Sequence, residues 1–246
     1  MTGGLRPLAL AGALALSACA EPPVTCAPPR IVVDIGHTPD APGTVSATGV
    51  AELAYNRRFA ERLTAALRPR LATGGSAVAL EIGEPDPKLD HRVAAIAARR
   101  PSLILSIHHD SVQERYLTRR IVDRVELTET DAAAGFSLFV PADTPVAAAS
   151  LTAARAIADA LAAAGERPSL HHAEPIAGEN RHLLDPARGI YAGDFLKVLR
   201  TAAAPAVLVE VGVIKNPAEE RRLSDPTEVD RLTTAVAGAI AALPCP

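Results

Sequence analysis

The chain contains no tryptophan, and only 3% of its 246 residues are aromatic. Modules that only bind carbohydrate usually present flat aromatic rings to the sugar, so this scarcity disfavours a pure carbohydrate-binding role. No long basic run occurs, and the formal net charge is −3. Because nucleic-acid binding requires clustered Lys and Arg, no nucleic acid is expected as a partner.

Apart from residues 1–19, no apolar segment of the sequence is long enough to span a bilayer, so no membrane-spanning helix is predicted after residue 19. Residues 1–19 contain one Arg, then an aliphatic run, and end in Leu-Ser-Ala-Cys, which is typical of a secretory signal. Because the last residue is Cys19, the segment resembles a bacterial lipoprotein signal; an ordinary signal peptide with an incidental Cys is the alternative. The resemblance implies a lipid anchor on Cys19 and a location on the periplasmic side of the cell envelope. By resemblance to Gram-negative lipoproteins, the absence of Asp after Cys19 favours the outer membrane.

Cysteine is scarce, with three residues in the whole chain. Besides Cys19, there are Cys26 before the first predicted strand and Cys245 at the C-terminal end. In an oxidising compartment these two could form a disulfide, since the ends of a domain often lie close together. Such a bond would add at most about 5 kcal/mol in the chain-entropy model. Two free thiols are the alternative, and metal binding is not expected because neither belongs to a Cys-x-x-Cys pair.

The remaining sequence alternates short aliphatic runs with amphipathic segments. Residues 20–30, with four prolines, are predicted to form a tether, and residues 31–246 a single domain. The alternation predicts an α/β fold whose mainly parallel, twisted sheet is flanked by helices on both faces. The predicted strands are 31–36, 77–82, 102–107, 136–140, 196–199 and 206–210, and the predicted helices are 49–67, 88–99, 145–164 and 226–243. Residues 111–134 are predicted to be an excursion from the sheet, and residues 165–189 are predicted to be irregular.

Three polar residues lie at the ends of predicted strands or just after them, and a fourth lies near the start of a predicted helix. His37 and His108 each follow an aliphatic run, Glu210 ends one, and Glu52 lies in the first turn of the helix after a Pro/Gly-rich loop. In an open α/β sheet the crevice at the carboxyl ends of the strands binds ligands. The pattern therefore predicts one site at this edge of the sheet.

These residue types are suited to metal-assisted hydrolysis. A catalytic zinc ion usually takes three protein ligands and keeps a position for water, and His37, Glu52 and His108 are candidates. Glu210 is the candidate for the separate carboxylate that moves the proton of the attacking water. His109 follows His108 and would face the other side of a strand, so spacing alone does not decide between the two.

The same residues form motifs of a known family, the zinc-dependent N-acetylmuramoyl-L-alanine amidases of type 3, which the chain resembles over residues 31–243. The motifs are Asp34-Ile-Gly-His37, Gly49-Val-Ala-Glu52 followed by Asn56, Ser106-Ile-His108, and Pro205-Ala-Val-Leu-Val-Glu210-Val-Gly212. The resemblance implies one Zn²⁺ ion held by His37, Glu52 and His108, so it selects His108 over His109, and it implies that Glu210 is the catalytic carboxylate. The implied reaction cuts the amide between N-acetylmuramic acid and L-alanine in peptidoglycan.

Some relatives in this family carry a segment that covers the zinc until a protein activator moves it. Residues 111–134 and 165–189 are candidates for such a lid, and solvated loops are the alternative. The residue that covers the zinc would be Glu126, Glu129, Glu174 or Glu179. The sequence departs from the family at 38–40, 109–111 and 213–215, which bears on the preferred stem peptide. Two other functions fit the same residues: a zinc peptidase acting on stem peptides, and a non-catalytic lipoprotein that binds peptidoglycan.

Overall fold

The computed structural model describes residue 1 and residues 27–244. The predictions for the signal peptide, Cys19, Cys26, Cys245 and most of the tether concern residues outside this part and stay predictions. The strands are β1 (Arg30–Ile35), β2 (Ser76–Leu80), β3 (Leu103–Asp110), β4 (Thr118–Val122), β5 (Val125–Glu129), β6 (Ser137–Val140), β7 (Leu183–Asp185), β8 (Ile190–Ala192) and β9 (Ala206–Val213). The helices are α1 (Glu52–Leu67), α2 (Asp90–Ala98), α3 (Ala147–Ala163), α4 (Lys197–Arg200), α5 (Pro217–Ser224) and α6 (Pro226–Ala241).

Seven of these strands form one mixed sheet in the order β2-β1-β3-β9-β6-β8-β7. The first four are parallel to one another, β6 pairs antiparallel to β9, β8 pairs parallel to β6, and β7 pairs antiparallel to β8. The predicted single α/β domain with a mainly parallel sheet is therefore confirmed. No helix in the described part of the chain is both long and apolar enough to span a bilayer.

Helices cover both faces of the sheet, as expected. Alternate residues of β1 belong to different hydrophobic clusters: Val33 packs with α1, α3 and α6, whereas Val32 packs with α2 and α4. Strands buried on both faces are aliphatic throughout, which explains the unbroken apolar runs in the sequence. Each fully buried Leu or Phe side chain, such as Leu63 and Phe59 of α1, contributes about 1.5–3 kcal/mol. These contacts position the carboxyl ends of β1, β3 and β9 beside the N-terminus of α1.

The strand predicted at residues 196–199 is wrong. This stretch begins α4, a single helical turn in which Val198 and Leu199 are both buried. A short apolar run cannot be assigned to helix or strand by periodicity, because four residues complete little more than one helical turn. The strand in this region is β8, which has three residues.

The two segments predicted to leave the sheet have different structures. Within residues 111–134, β4 and β5 form an antiparallel hairpin separate from the main sheet, in agreement with the predicted excursion. Residues 165–189 contain short 3₁₀ turns at His171–Ala173 and Pro186–Arg188, but they also contribute β7 to the main sheet, so the prediction of an irregular segment is only partly right.

Candidate active site

The end of β1 is held by a buried ion pair that places His37. Asp34 and Arg92 are both almost fully buried, with 2.5 Å between Oδ1 and Nη1. Arg92 Nη1 also donates to the carbonyl of Ile35 at 2.5 Å, and its Nη2 donates to the carbonyl of His37. The second carboxylate oxygen of Asp34 accepts from Ser106 Oγ at 2.8 Å. These contacts fix the chain where β1 ends and the site begins.

His37 itself has a φ of +72°, which is uncommon for a residue with a side chain. Its imidazole lies near that of His108, with 4.9 Å between the ring centroids. The close approach depends on Gly36, since a Cβ there would lie 2.4 Å from the His108 ring. Only glycine can occupy such a position without displacing the ring.

Glu52 begins α1 and lies between the two imidazoles. Its Oε2 is 2.9 Å from His37 Nε2, and its Oε1 is 3.1 Å from His108 Nδ1. Its carboxylate also accepts from the backbone N–H of Thr44 at 3.2 Å and the amide of Asn56 at 3.1 Å. Burial alone would raise the pKa of Glu52, but hydrogen bonds to His108 and His37 outweigh it and hold this pKa well below its usual range.

The structure distinguishes His108 from its neighbour. His109 is buried on the other side of β3, where its Nδ1 lies 2.8 Å from Asn56 Oδ1 and its ring packs near Tyr55 and Phe59. Burial lowers the pKa of His109 to about 3, so this imidazole is neutral. Of the two histidines, His108 is the one that meets His37 and Glu52.

His37, Glu52 and His108 therefore converge on one point. One ligand atom from each lies within 4.8 Å of the others. Two imidazole nitrogens and one carboxylate oxygen are a donor set that zinc accepts. Their side chains are 28%, 6% and 20% exposed, so the cluster is recessed but reachable from solvent. The donors and the room left by Gly36 fit the predicted metal ion.

Glu210 lies on β9 directly opposite His108 in the parallel register of β3 and β9. Its Oε2 is buried and has no hydrogen-bond partner among the described residues. Burial raises the pKa of Glu210 well above its usual range, and the charges of Asp110 and Glu52 add to the rise. A carboxyl group in such a position is suited to proton transfer.

The proposed site residues line two cavities. One of about 440 Å³ is lined by His37, His108 and the Asp34–Arg92 pair. The other, of about 280 Å³, is lined by Glu210. Leu196 lines both.

The four glutamates named as candidates for covering the zinc contact other side chains. In the β4–β5 hairpin, Glu126 and Glu129 pair with Arg119 at 3.6 Å and Arg120 at 2.6 Å. Further along, Glu174 accepts from Tyr116, and Glu179 lies 2.8 Å from His172 Nδ1. The prediction that either segment covers the metal site stays a prediction.

Sequence reasoning overlooked Arg92 and a second group of side chains, Asp110, His171 and His172. Arg92 lies in the helix predicted at 88–99, and an arginine at one helical position carries no mark of a buried partner. For the second group, the available signal was the His171-His172 pair within a polar segment.

A model of the family described as N-acetylmuramoyl-L-alanine amidase matches residues 31–242. No curated protein matches the chain significantly. Among solved structures, the amidase Ami1 of Mycobacterium smegmatis is 22% identical, with a TM-score of 0.66 over 89% of this chain and 97% of that chain. The catalytic domain of CwlV from Bacillus (Paenibacillus) polymyxa is 21% identical, with a TM-score of 0.62 over 86% and 96%. CwlD from Clostridioides difficile, solved in complex with the GerS lipoprotein, is 18% identical, with a TM-score of 0.62 over 86% and 96%.

Proposed function

The chain belongs to the N-acetylmuramoyl-L-alanine amidase family, and we propose that it is a zinc-dependent enzyme that cuts the amide between N-acetylmuramic acid and L-alanine in peptidoglycan, in cell-wall remodelling or cell separation. The observation that carries the zinc dependence is the convergence of His37, Glu52 and His108 within 4.8 Å at the carboxyl ends of the strands. Glu210, opposite His108, is the proposed catalytic carboxylate beside these ligands.

His37, Glu52 and His108 would hold the ion. Bound zinc acidifies a water molecule and polarises a carbonyl group. The backbone N–H of Thr44 and the amide of Asn56 hold the Glu52 carboxylate in place, and Arg92 holds the backbone of His37. Ligands restrained in this way need little rearrangement to bind.

Glu210 would move the proton. Its carboxylate accepts the proton of the attacking water and passes it to the nitrogen of L-alanine as the amide bond breaks. The unpartnered Oε2 supports this role, because no neighbouring donor in the described structure competes for it. Burial also raises the pKa of Glu210, so this carboxyl group binds a proton more tightly than an exposed glutamate does.

Mass spectrometry of muropeptides from digested sacculi tests this function. We expect stem peptides with a free L-alanine amine and glycan strands with a free lactyl carboxyl group. We expect Glu210→Gln to keep zinc but to lose turnover by about 10²–10⁴-fold, the usual contribution of a general base. Glu61→Gln, on the exposed side of α1, is the matched control and should digest at the wild-type rate.

Other products would redirect the assignment. Cleavage inside the stem peptide would indicate a peptidase, and intact sacculi would indicate a binding protein. Normal digestion by the Glu210→Gln variant would remove Glu210 from the mechanism.

We also propose that a lipid on Cys19 holds the enzyme on the periplasmic side of the envelope, with the outer membrane favoured. The Leu-Ser-Ala-Cys sequence at 16–19 supports this location. Regulation by a protein partner is proposed from the likeness to CwlD, which was solved with a lipoprotein bound. The apolar tip of the β4–β5 hairpin, where Ile121 is 76% exposed and Val125 is 56% exposed, offers a surface for such a partner.

A further inference from the structure

A second cluster of metal-binding side chains lies apart from His37, Glu52 and His108. It consists of Asp110 at the end of β3 and of His171 and His172 in the 3₁₀ turn His171–Ala173. Asp110 Oδ2 is 2.9 Å from His172 Nε2 and 3.3 Å from His171 Nε2. The tight turn brings the two consecutive imidazoles together, with 3.9 Å between their centroids.

The outer atoms of all three side chains are already held by other groups. His172 Nδ1 lies 2.8 Å from Glu179 Oε2, and His171 Nδ1 lies 2.9 Å from Ser169 Oγ. Asp110 Oδ1 accepts from the backbone N–H of Ser111 at 2.7 Å. Metal-binding histidines usually have the second ring nitrogen fixed by an acceptor in this way, which leaves the first nitrogen free for the ion.

A neutral His172 has one N–H and cannot donate to both Glu179 and Asp110, which lie at its two ring nitrogens. If His172 donates its Nδ1–H to Glu179, its Nε2 is a lone pair that faces the carboxylate oxygen of Asp110, which is also an acceptor. His171 is 8% exposed, and its Nε2 is buried with no hydrogen-bond partner among the described residues. A second proton on His172 would satisfy only the pair with Asp110 and leave His171 Nε2 unsatisfied. One cation between the three atoms would satisfy all of them.

We propose that Asp110, His171 and His172 bind a second divalent transition-metal ion, of the zinc class. Zinc–nitrogen bonds of about 2.0–2.1 Å in a tetrahedron place neighbouring ligand atoms about 3.3 Å apart, close to the separations seen here. Imidazole nitrogens with one carboxylate favour zinc and similar ions over calcium or magnesium, which prefer oxygen donors.

The second site shares no residue with the first but lies near the proposed chemistry. Asp110 and His172 line the same cavity of about 280 Å³ as Glu210. With three protein ligands, the ion would keep a position for water or for an oxygen of a molecule bound in that cavity. The proposal does not depend on the proposed function, because it rests on a separate set of ligands.

Metal content of the full chain tests the proposal. After saturation with Zn²⁺ and removal of excess by dialysis, elemental analysis should give two equivalents for the wild type. We expect one equivalent for His172→Ala, one for His37→Ala and none for the double variant. His182→Ala removes an exposed histidine of the same segment and should keep two equivalents.

Each result separates the two sites. One equivalent in the wild type, lost in His37→Ala and kept in His172→Ala, would overturn the second site and leave the proposed function intact. One equivalent in the wild type, lost only in His172→Ala, would support the second site and overturn zinc binding by His37. A Co²⁺ titration of the unaltered protein, read from the visible absorption of the ion, guards against misfolded variants. We expect this protein to bind a second equivalent of Co²⁺ through imidazole. Saturation at one equivalent at the His37 site would overturn the proposal.

Discussion

Gly36 and Gly43 determine how closely the three proposed metal ligands approach one another. Gly43 has a φ of +82°, and a Cβ there would lie 2.3 Å from Glu52 Oε2 and 2.7 Å from the His37 ring. A side chain at this position would push apart two of the three proposed ligands. The geometry of the site therefore depends on the absence of a side chain at positions 36 and 43 as well as on the ligands.

We predict that Gly43→Ala weakens zinc binding as well as the fold. The positive φ should cost about 1–2 kcal/mol of unfolding free energy, and the clash should displace Glu52 and His37. Gly49→Ala is the matched control, because Gly49 has a φ of +98° but its Cβ would meet only Leu127, at 3.5 Å. Chemical denaturation and zinc titration should show similar destabilisation in both variants and weaker zinc binding in Gly43→Ala alone. Equal zinc affinity in the two variants would contradict this role of Gly43.

Single residues also show what sequence could and could not predict. His37, Glu52 and His108 were expected at one site because their positions relative to the predicted strands and the family motifs both place them there, and the structure brings them together. Arg92 was not expected in the site, because its ion pair with Asp34 joins residues that are distant in sequence. Packing of α2 against the sheet brings Arg92 to Asp34, and no local sequence pattern predicts that packing.

At the scale of elements, the long strands and helices were predicted well, but the short elements α4, β7 and β8 were not. The strands β1, β3 and β9 are buried on both faces and appear in the sequence as unbroken aliphatic runs. By contrast, α4 and β8 have four and three residues, so tertiary packing rather than local pattern decides their conformation. The elements that carry the site are the long ones, which is why its position could be predicted.

The β4–β5 hairpin allows a clean deletion, because Thr118 pairs directly with Glu129 and a short Gly-Ser linker can replace residues 118–129. We predict an unchanged zinc content and an unchanged basal digestion rate. The reason is that the hairpin contacts Ala47 and Lys215, through Arg120 and Thr128, rather than the metal-binding side chains. Digestion of purified sacculi measures the rate. A marked rise after deletion would instead show that the hairpin inhibits the enzyme as a lid.

At the scale of the whole molecule, one sheet carries the site at the carboxyl ends of its central strands. The family match covers residues 31–242, so Cys19 lies outside the matched domain. Attachment to a membrane and catalysis should therefore be separable.

We predict that Cys19→Ala abolishes lipid attachment without changing digestion of sacculi. Metabolic labelling with radioactive palmitate and sedimentation with membranes measure the attachment. Cys26→Ala is the matched control and should keep the label, because Cys26 does not follow the Leu-Ser-Ala sequence at 16–18. A labelled, membrane-bound Cys19→Ala protein would exclude Cys19 as the anchor.

The central claim is that His37, Glu52 and His108 hold the zinc used in amide hydrolysis. The most direct test is the release of stem peptides from purified sacculi by wild-type protein stripped of metal and then titrated with Zn²⁺, beside Glu52→Ala. We predict that the stripped wild type is inactive, that zinc restores its activity, and that Glu52→Ala stays inactive at the same zinc concentration. Release at the untreated rate by protein shown to be metal-free would contradict the claim.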